Sequence, residues 1–211
     1  KKIIDFKKQS PYKNKIHILK NLDKSNKKIL FSIISTNSNV RYNLFKKLVV
    51  NFKIKYFIFE KIVFQKINEY QNTKNLIDKY NLKCWINCPR RSWKIFKTLK
   101  KKIKPKKKIK IYINGNNWGL LSNTVHFLDL FLFLTKTKNL KVYLEKLDNR
   151  IILSKRKGFI ELTGKIKFIN QNKDELILHD NPFKKNNDLI FKLKQDKYNY
   201  IYNQNSKINN F

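Results

Sequence analysis

The sequence predicts an α/β part followed by an α+β part: a partial parallel sheet with helices, then an α/β domain with a large antiparallel sheet. Three observations carry this. Between residues 29 and 88, short apolar runs rich in β-branched residues alternate with segments of helical periodicity. From residue 139 onward the period changes to two. Aromatic residues make up 14% of the 211, enough to fill a core and to exclude a disordered tail.

The elements follow in order. Residues 1–28 are short and mixed, with KIHIL (15–19) a candidate strand. ILFSIIST (29–36) is an apolar run of the kind that suits a strand covered on both faces, as in a parallel sheet. It runs into TNSN, a polar turn that offers helix N-caps. Val40, Leu44, Leu48 and Phe52 then recur at helical spacing. IKYFIFE (54–60) is a second buried strand, ending in the charged pair Glu60-Lys61. Ile67, Tyr70, Ile77 and Tyr80 mark a second helix, and LKCWINC (82–88) is a third strand closed by Pro89. Right-handed crossovers make these three strands parallel neighbours, a Rossmann-like βαβαβ unit.

Ligands of such sheets sit beyond the carboxyl ends of the strands. Those ends are Ser35-Thr36-Asn37, Glu60-Lys61 and Asn87-Cys88-Pro89-Arg90-Arg91. Helix capping and solvated loops account for the same residues equally well.

SWKIFKTLKKKI (92–103) predicts a short helix and KIYING (110–115) a strand. SNTVHFLDLFLFLTK (122–136) is a helix apolar on nearly all sides. Its polar exceptions, His126 and Asp129, are three apart and share one face. A polar stripe on a buried helix needs a partner. After residue 139, KVYLEK, RIILSK, GFIELTG, KIKFIN, ELILHD, LIFKLK and YNYIY read as the strands of the antiparallel sheet. The chain is expected to divide into domains 1–90 and 91–211.

Lys plus Arg number 49 against 14 Asp plus Glu, a formal charge of +35. That invites a nucleic-acid reading. The composition offers another: there is no Ala and no Met, and only four Gly and four Pro, while Lys, Asn, Ile and Phe abound. The abundant residues have codons made of A and T. A coding drift toward Lys and Asn explains the charge without any ligand, and no specific nucleic-acid partner is expected. A basic surface still binds polyanions weakly at low salt.

Two cysteines exclude a disulfide scaffold. On one strand, Cys84 and Cys88 stand ~13 Å apart, too far for a bridge. They read as buried structural thiols of a reducing cytoplasm, and no metal site is expected. His17 and His179 read as surface residues. No run of ~18 residues is apolar and free of charge, so no membrane span is predicted. The chain contains no G-x-G-x-x-G, no P-loop and no G-x-S-x-G. With no initiator Met, natural sequence is expected before Lys1.

Two residues carry candidate chemistry. Lys61 follows a buried strand, where desolvation lowers an ammonium pKa toward a useful range. His126 lies on the apolar helix, where a lone histidine is more often a satisfied core residue than a catalyst. Together they could bracket a substrate carbon, with His126 as proton relay.

At these residues the chain resembles the glucose-fructose oxidoreductase/inositol dehydrogenase (Gfo/Idh/MocA) family, over roughly 29–170. ISTNSNVRY (34–42) resembles the family's strand-end segment over the cofactor, and FEK (59–61) its E-K-P motif. WINCPRRSW (85–93) resembles the strand entering the second domain. NNWGLLSNTVHFLDLFLFLTK (116–136) resembles the helix with H-x-x-D-L. Departures are Ile62 and Asn37 in place of Pro, Arg41 in place of His, Ser122 in place of an acidic residue and Thr124 in place of Gly.

The resemblance implies a Rossmann domain and a domain with a large open sheet, acting as an NAD- or NADP-dependent cytoplasmic sugar dehydrogenase. It gives Lys61 and His126 as catalytic residues. Ser35, Thr36, Asn37, Glu60 and Lys61 would meet the cofactor, and Arg91, Asn123 and Asp129 the sugar or nucleotide-sugar substrate. It also implies homo-oligomers through the sheet, a missing glycine-rich part before Lys1 and an incomplete end. The W-G-L-L-S-N-x-x-H-F-x-D-L form is similar to a sub-branch seen with nonulosonic acid or surface-polysaccharide genes. A non-catalytic basic binding module for nucleic acid or anionic glycan, or an inactive fragment of the oxidoreductase, is the alternative.

Overall fold

A computed structural model describes residues 8–15, 29–154, 156–183, 188–204 and the backbone of 209–210. The strand expected at 15–19, Lys15 aside, and His17 lie outside the described residues. The chain forms two compact units. One comprises residues 1–58 and 64–85, the other 59–63 and 86–211.

In the first unit the predicted alternation is present. β1 (Phe31–Ile34), α1 (Ser38–Asn51), β2 (Tyr56–Phe59), α2 (Ile67–Lys79) and β3 (Lys83–Ile86) follow one another, and the sheet order is β1-β2-β3. The strands run parallel. Lys83 N donates to Lys55 O at 2.9 Å and Asn87 N to Phe59 O at 2.8 Å, so both partners advance together. Helix α1 buries Phe45, Leu48 and Val49, and Phe45 meets Phe57 of β2 edge-on at 5.0 Å.

The apolar run of β1 predicted cover on both faces. Ile34 is buried, but Ile33 is 64% exposed, and so are half of Trp85 and much of Phe31. Alternation along a strand sends Ile33 and Ile34 to opposite faces. The helices cover only one of them among the described residues. Tyr56 stacks on Trp85 at 6.1 Å.

The second unit is built on α3 (Lys94–Lys102), α4 (Leu120–Thr135) and a seven-stranded sheet. Its strands are β4 (Lys110–Gly115), β5 (Leu140–Leu147), β8 (Gly164–Asn170), β9 (Glu175–Asp180), β10 (Ile190–Gln195), β11 (Tyr198–Asn203) and β12 (Asn209–Asn210). The order is β12-β11-β10-β4-β9-β8-β5. The large sheet is mixed rather than purely antiparallel. β4 inserts between β10 and β9, and it runs parallel to β9 with Ile111 opposite Leu176 and Gly115 opposite Asp180. The strands expected at RIILSK and GFIELTG leave the sheet. They form a separate hairpin of β6 (Ile152–Leu153) and β7 (Ile160–Glu161).

One face of the sheet carries the core. Ile111 and Ile113 of β4, Leu176 and Leu178 of β9, and Phe191 and Leu193 of β10 pack with Phe127, Leu130, Phe131 and Leu134 of α4. Each such side chain contributes roughly 1.5–3 kcal/mol on leaving water. Phe96 of α3 closes the layer edge-on to Phe191 at 5.2 Å. This packing makes α4 apolar nearly all round and aims its first turns at the ends of β4 and β9. The structure contains no helix long and apolar enough to cross a membrane among the described residues.

Candidate functional site

The site assembles within the second unit, around the first turn of α4. The helix opens at Gly119, whose φ of +79° favours glycine. No side chain adjacent in sequence caps it. Two carboxylates from distant strands do so instead. Asp180, buried at the end of β9, accepts the Gly119 N–H at 3.2 Å and also faces the N–H groups of Asn117, Trp118 and Leu120. Glu161 of β7 accepts Leu121 N at 3.0 Å and Ser122 N at 3.3 Å. Negative charge is favoured there because the unpaired amides of a helix start carry partial positive charge. Burial nonetheless raises the Asp180 carboxyl above its ordinary pKa, against the pull of those amides.

Lys61 reaches the same turn. Its Nζ donates to Ser122 O at 2.8 Å and to Asn123 Oδ1 at 2.7 Å. Asn123 is held in turn, its Nδ2 donating to Trp118 O at 2.6 Å. The Lys61–Ile62 peptide is cis. Burial lowers the Lys61 pKa, Arg156 and Arg90 lower it further by like charge, and Glu60 and Glu161 oppose them.

His126 follows Asn123 by three residues and so lies on the same face, one turn along. It is 8% exposed, and its Nδ1 has no hydrogen-bond partner among the described residues. Burial, with the positive charges of Arg90 and Lys61, pushes its pKa down to about 4. The imidazole is therefore neutral near pH 7.

Asp129, one further turn along, pairs with Arg91. Arg91 Nε donates to Asp129 Oδ2 at 2.7 Å and Nη2 to Oδ1. These two sequence-predicted substrate residues are thus partners of each other, as Asn123 is of Lys61. Beside them, Arg90 lies 4.5 Å from the Phe127 ring and donates to Gln204 Oε1 at 3.1 Å. Glu60 accepts from Asn87 Nδ2. Lys61, Glu60, Arg91, Asn123, His126 and Asp129 all belong to this one unit.

Ser35, Thr36 and Asn37 belong to the first unit, exposed at the carboxyl end of β1. Their turn is fastened by Arg41, fully buried, which donates to Thr36 O. Asn37 takes the N-cap position of α1 without a side-chain capping bond.

Several expectations change. His179 is half-buried rather than a surface residue, because its ring Nδ1 lies 2.9 Å from the Tyr112 hydroxyl. Cys84 and Cys88 are free and half-buried, and burial pushes the Cys84 thiol up to about 11. Glu161, Asp180 and Arg156 escaped the sequence reading, whereas Asn87 and Arg90 lay in one of the strand ends it named. Glu161 and Asp180 sit in alternating strands indistinguishable by pattern from their neighbours.

No family model and no curated protein matches the chain. Solved structures do. A myo-inositol dehydrogenase from Sinorhizobium meliloti matches 80% of this chain and 56% of its own length, at 13% identity and TM-score 0.59. Biliverdin reductase from Synechocystis, in complex with biliverdin and NADP+, matches over 85% of this chain and 61% of its own, at 9% identity and TM-score 0.63. A super-repressor mutant of Gal80p from Saccharomyces cerevisiae matches over 84% and 56%, at 14% identity and TM-score 0.64. The chain spans between 52% and 61% of the length of eight solved structures it matches. These neighbours are of Gfo/Idh/MocA type, and the chain shares their fold.

Proposed function

We propose that the chain is part of an NAD- or NADP-dependent oxidoreductase acting at a hydroxyl or carbonyl of a sugar, sugar derivative or nucleotide sugar. One observation carries the reading. The Lys61 ammonium is held by two acceptors of the α4 first turn, with the neutral His126 one turn away.

An ammonium has three hydrogens. Two are engaged by Ser122 and Asn123, which leaves the third for a substrate oxygen. A lowered pKa makes Lys61 a better donor to an oxygen that gains negative charge. The neutral imidazole of His126 accepts the hydroxyl proton during oxidation and returns it during reduction. The paired Arg91 and Asp129 keep the neighbouring wall of the site polar.

Ser35, Thr36 and Asn37 are the residues of the first unit proposed to meet the nicotinamide cofactor. The fit rests on exposed hydroxyl and amide groups at the carboxyl end of a parallel strand, where such sheets bind ligands. The cofactor supplies a two-electron hydride acceptor or donor when bound. Homo-oligomerisation through the large sheet is supported by Val142 and Leu144 of β5, 58% and 68% exposed.

The test is formation of reduced nicotinamide by the full-length protein across a panel of sugars, sugar acids and nucleotide sugars. Lys61→Ala is expected to lower kcat by at least ~100-fold with the fold retained. An unchanged kcat removes Lys61 from the chemistry. The alternative, a non-catalytic basic module, draws on the +35 charge and predicts no turnover by the full-length protein with any member of the panel.

A further inference from the structure

At the opposite end of the β4–β9 pair from the Lys61 site lies a cavity of about 1110 Å3. The two ends are about 17 Å apart, five steps of ~3.3 Å along a strand. Seven of its fourteen lining residues are lysine, against 49 Lys and Arg in 211 residues overall. A uniform coding drift raises lysine everywhere and leaves this concentration unexplained. Lys107 pairs with Asp196 at 3.7 Å and Lys110 with Glu175 at 3.1 Å. Lys106, Lys108, Lys141, Lys173 and Lys194 make no ion pair among the described residues.

Five uncompensated ammonium groups around one concavity repel one another and concentrate counter-ions there. A ligand with closely spaced negative charges relieves the repulsion and releases those ions. Lysine is a point charge on a flexible stem and meets phosphate oxygens without needing one fixed geometry. The cavity lies at the upper end of the size range of small-molecule pockets and leaves room for a linear chain of phosphates. Base-reading single-strand sites present successive aromatic rings. Among the described residues only Tyr143 supplies a ring to this lining.

We propose that this cavity binds a short linear polyphosphate, at a site separate from the Lys61 site.

The experiment is calorimetric titration of the full-length protein with sodium tripolyphosphate, and in parallel with a uridine hexanucleotide, at two salt concentrations. One variant replaces Lys106, Lys108, Lys141, Lys173 and Lys194 with Gln. A control with the same charge change replaces the exposed Lys94, Lys97, Lys101, Lys138 and Lys146, and circular dichroism checks both folds. The proposal predicts saturable one-to-one binding, weakened at least ~30-fold in the cavity variant and less than ~3-fold in the control. If the cavity variant does not fold, Lys141→Gln and Lys194→Gln are tested singly, each expected to weaken binding by ~2–5-fold. Equal losses in cavity and control variants, non-saturating binding, or tighter binding of the hexanucleotide than of tripolyphosphate each overturn it.

Discussion

His126 gives the stability of the protein a pH dependence whose size follows from its burial. Its ordinary pKa of 6.5 falls to about 4 in the folded chain. The unfolded chain therefore binds a proton that the folded chain refuses as pH drops. The folded pKa is depressed, so the stabilisation is present above about pH 6.5 and is lost as pH falls toward about 4. The full shift corresponds to roughly 3 kcal/mol, of which about 2 kcal/mol disappears between about pH 7 and pH 4.5. Replacing His126 with Gln removes the titrating group. Urea unfolding followed by tryptophan fluorescence, at both pH values, isolates its contribution from all other titrations by difference. The wild type is expected to lose about 2 kcal/mol more than His126→Gln across that interval. Parallel losses in the two proteins refute the reasoning, because they place His126 where water reaches it freely.

Two further outcomes concern the supports of the site. Glu161→Ala removes the acceptor for two amides at the start of α4 and is expected to cost about 1–2 kcal/mol, with Glu161→Gln costing about half. Unchanged urea midpoints for both variants contradict the capping role. Gly164→Ala is expected to cost roughly 2–4 kcal/mol in the same assay. Gly164 has φ +113°, and a Cβ there collides with the Lys146 carbonyl oxygen, so a variant of wild-type stability contradicts the observed backbone.

The local features of the fold were legible in the sequence. The helical spacing of Leu44 and Leu48, the apolar runs of β1 to β3, and the all-round apolar α4 each encode one element through its own periodicity. Pairing partners were less legible. Alternation along β4 and β9 tells which side chains face the core. It is silent on whether a neighbour runs parallel, so the strands after residue 139 read as an antiparallel sheet, with no sign that β4 joins it parallel to β9. The hairpin of β6 and β7 has the same pattern as its neighbours and yet pairs alone. The site divides similarly. Lys61, His126 and Asp129 stand out because they are polar groups beside or within apolar runs. Glu161 and Asp180 do their work about 40 and 60 residues away from the amides they cap, at a distance only the folded chain bridges.

The central claim is that Lys61 and His126 serve one reacting oxygen. Its most direct test is a double-mutant cycle on hydride transfer by the full-length protein, using Lys61→Ala, His126→Ala and the pair. Groups acting as a unit give a double variant scarcely slower than the worse single one, within ~10-fold, each single variant being at least ~100-fold slower than wild type. Losses that multiply, or a single variant with the wild-type rate, contradict the account.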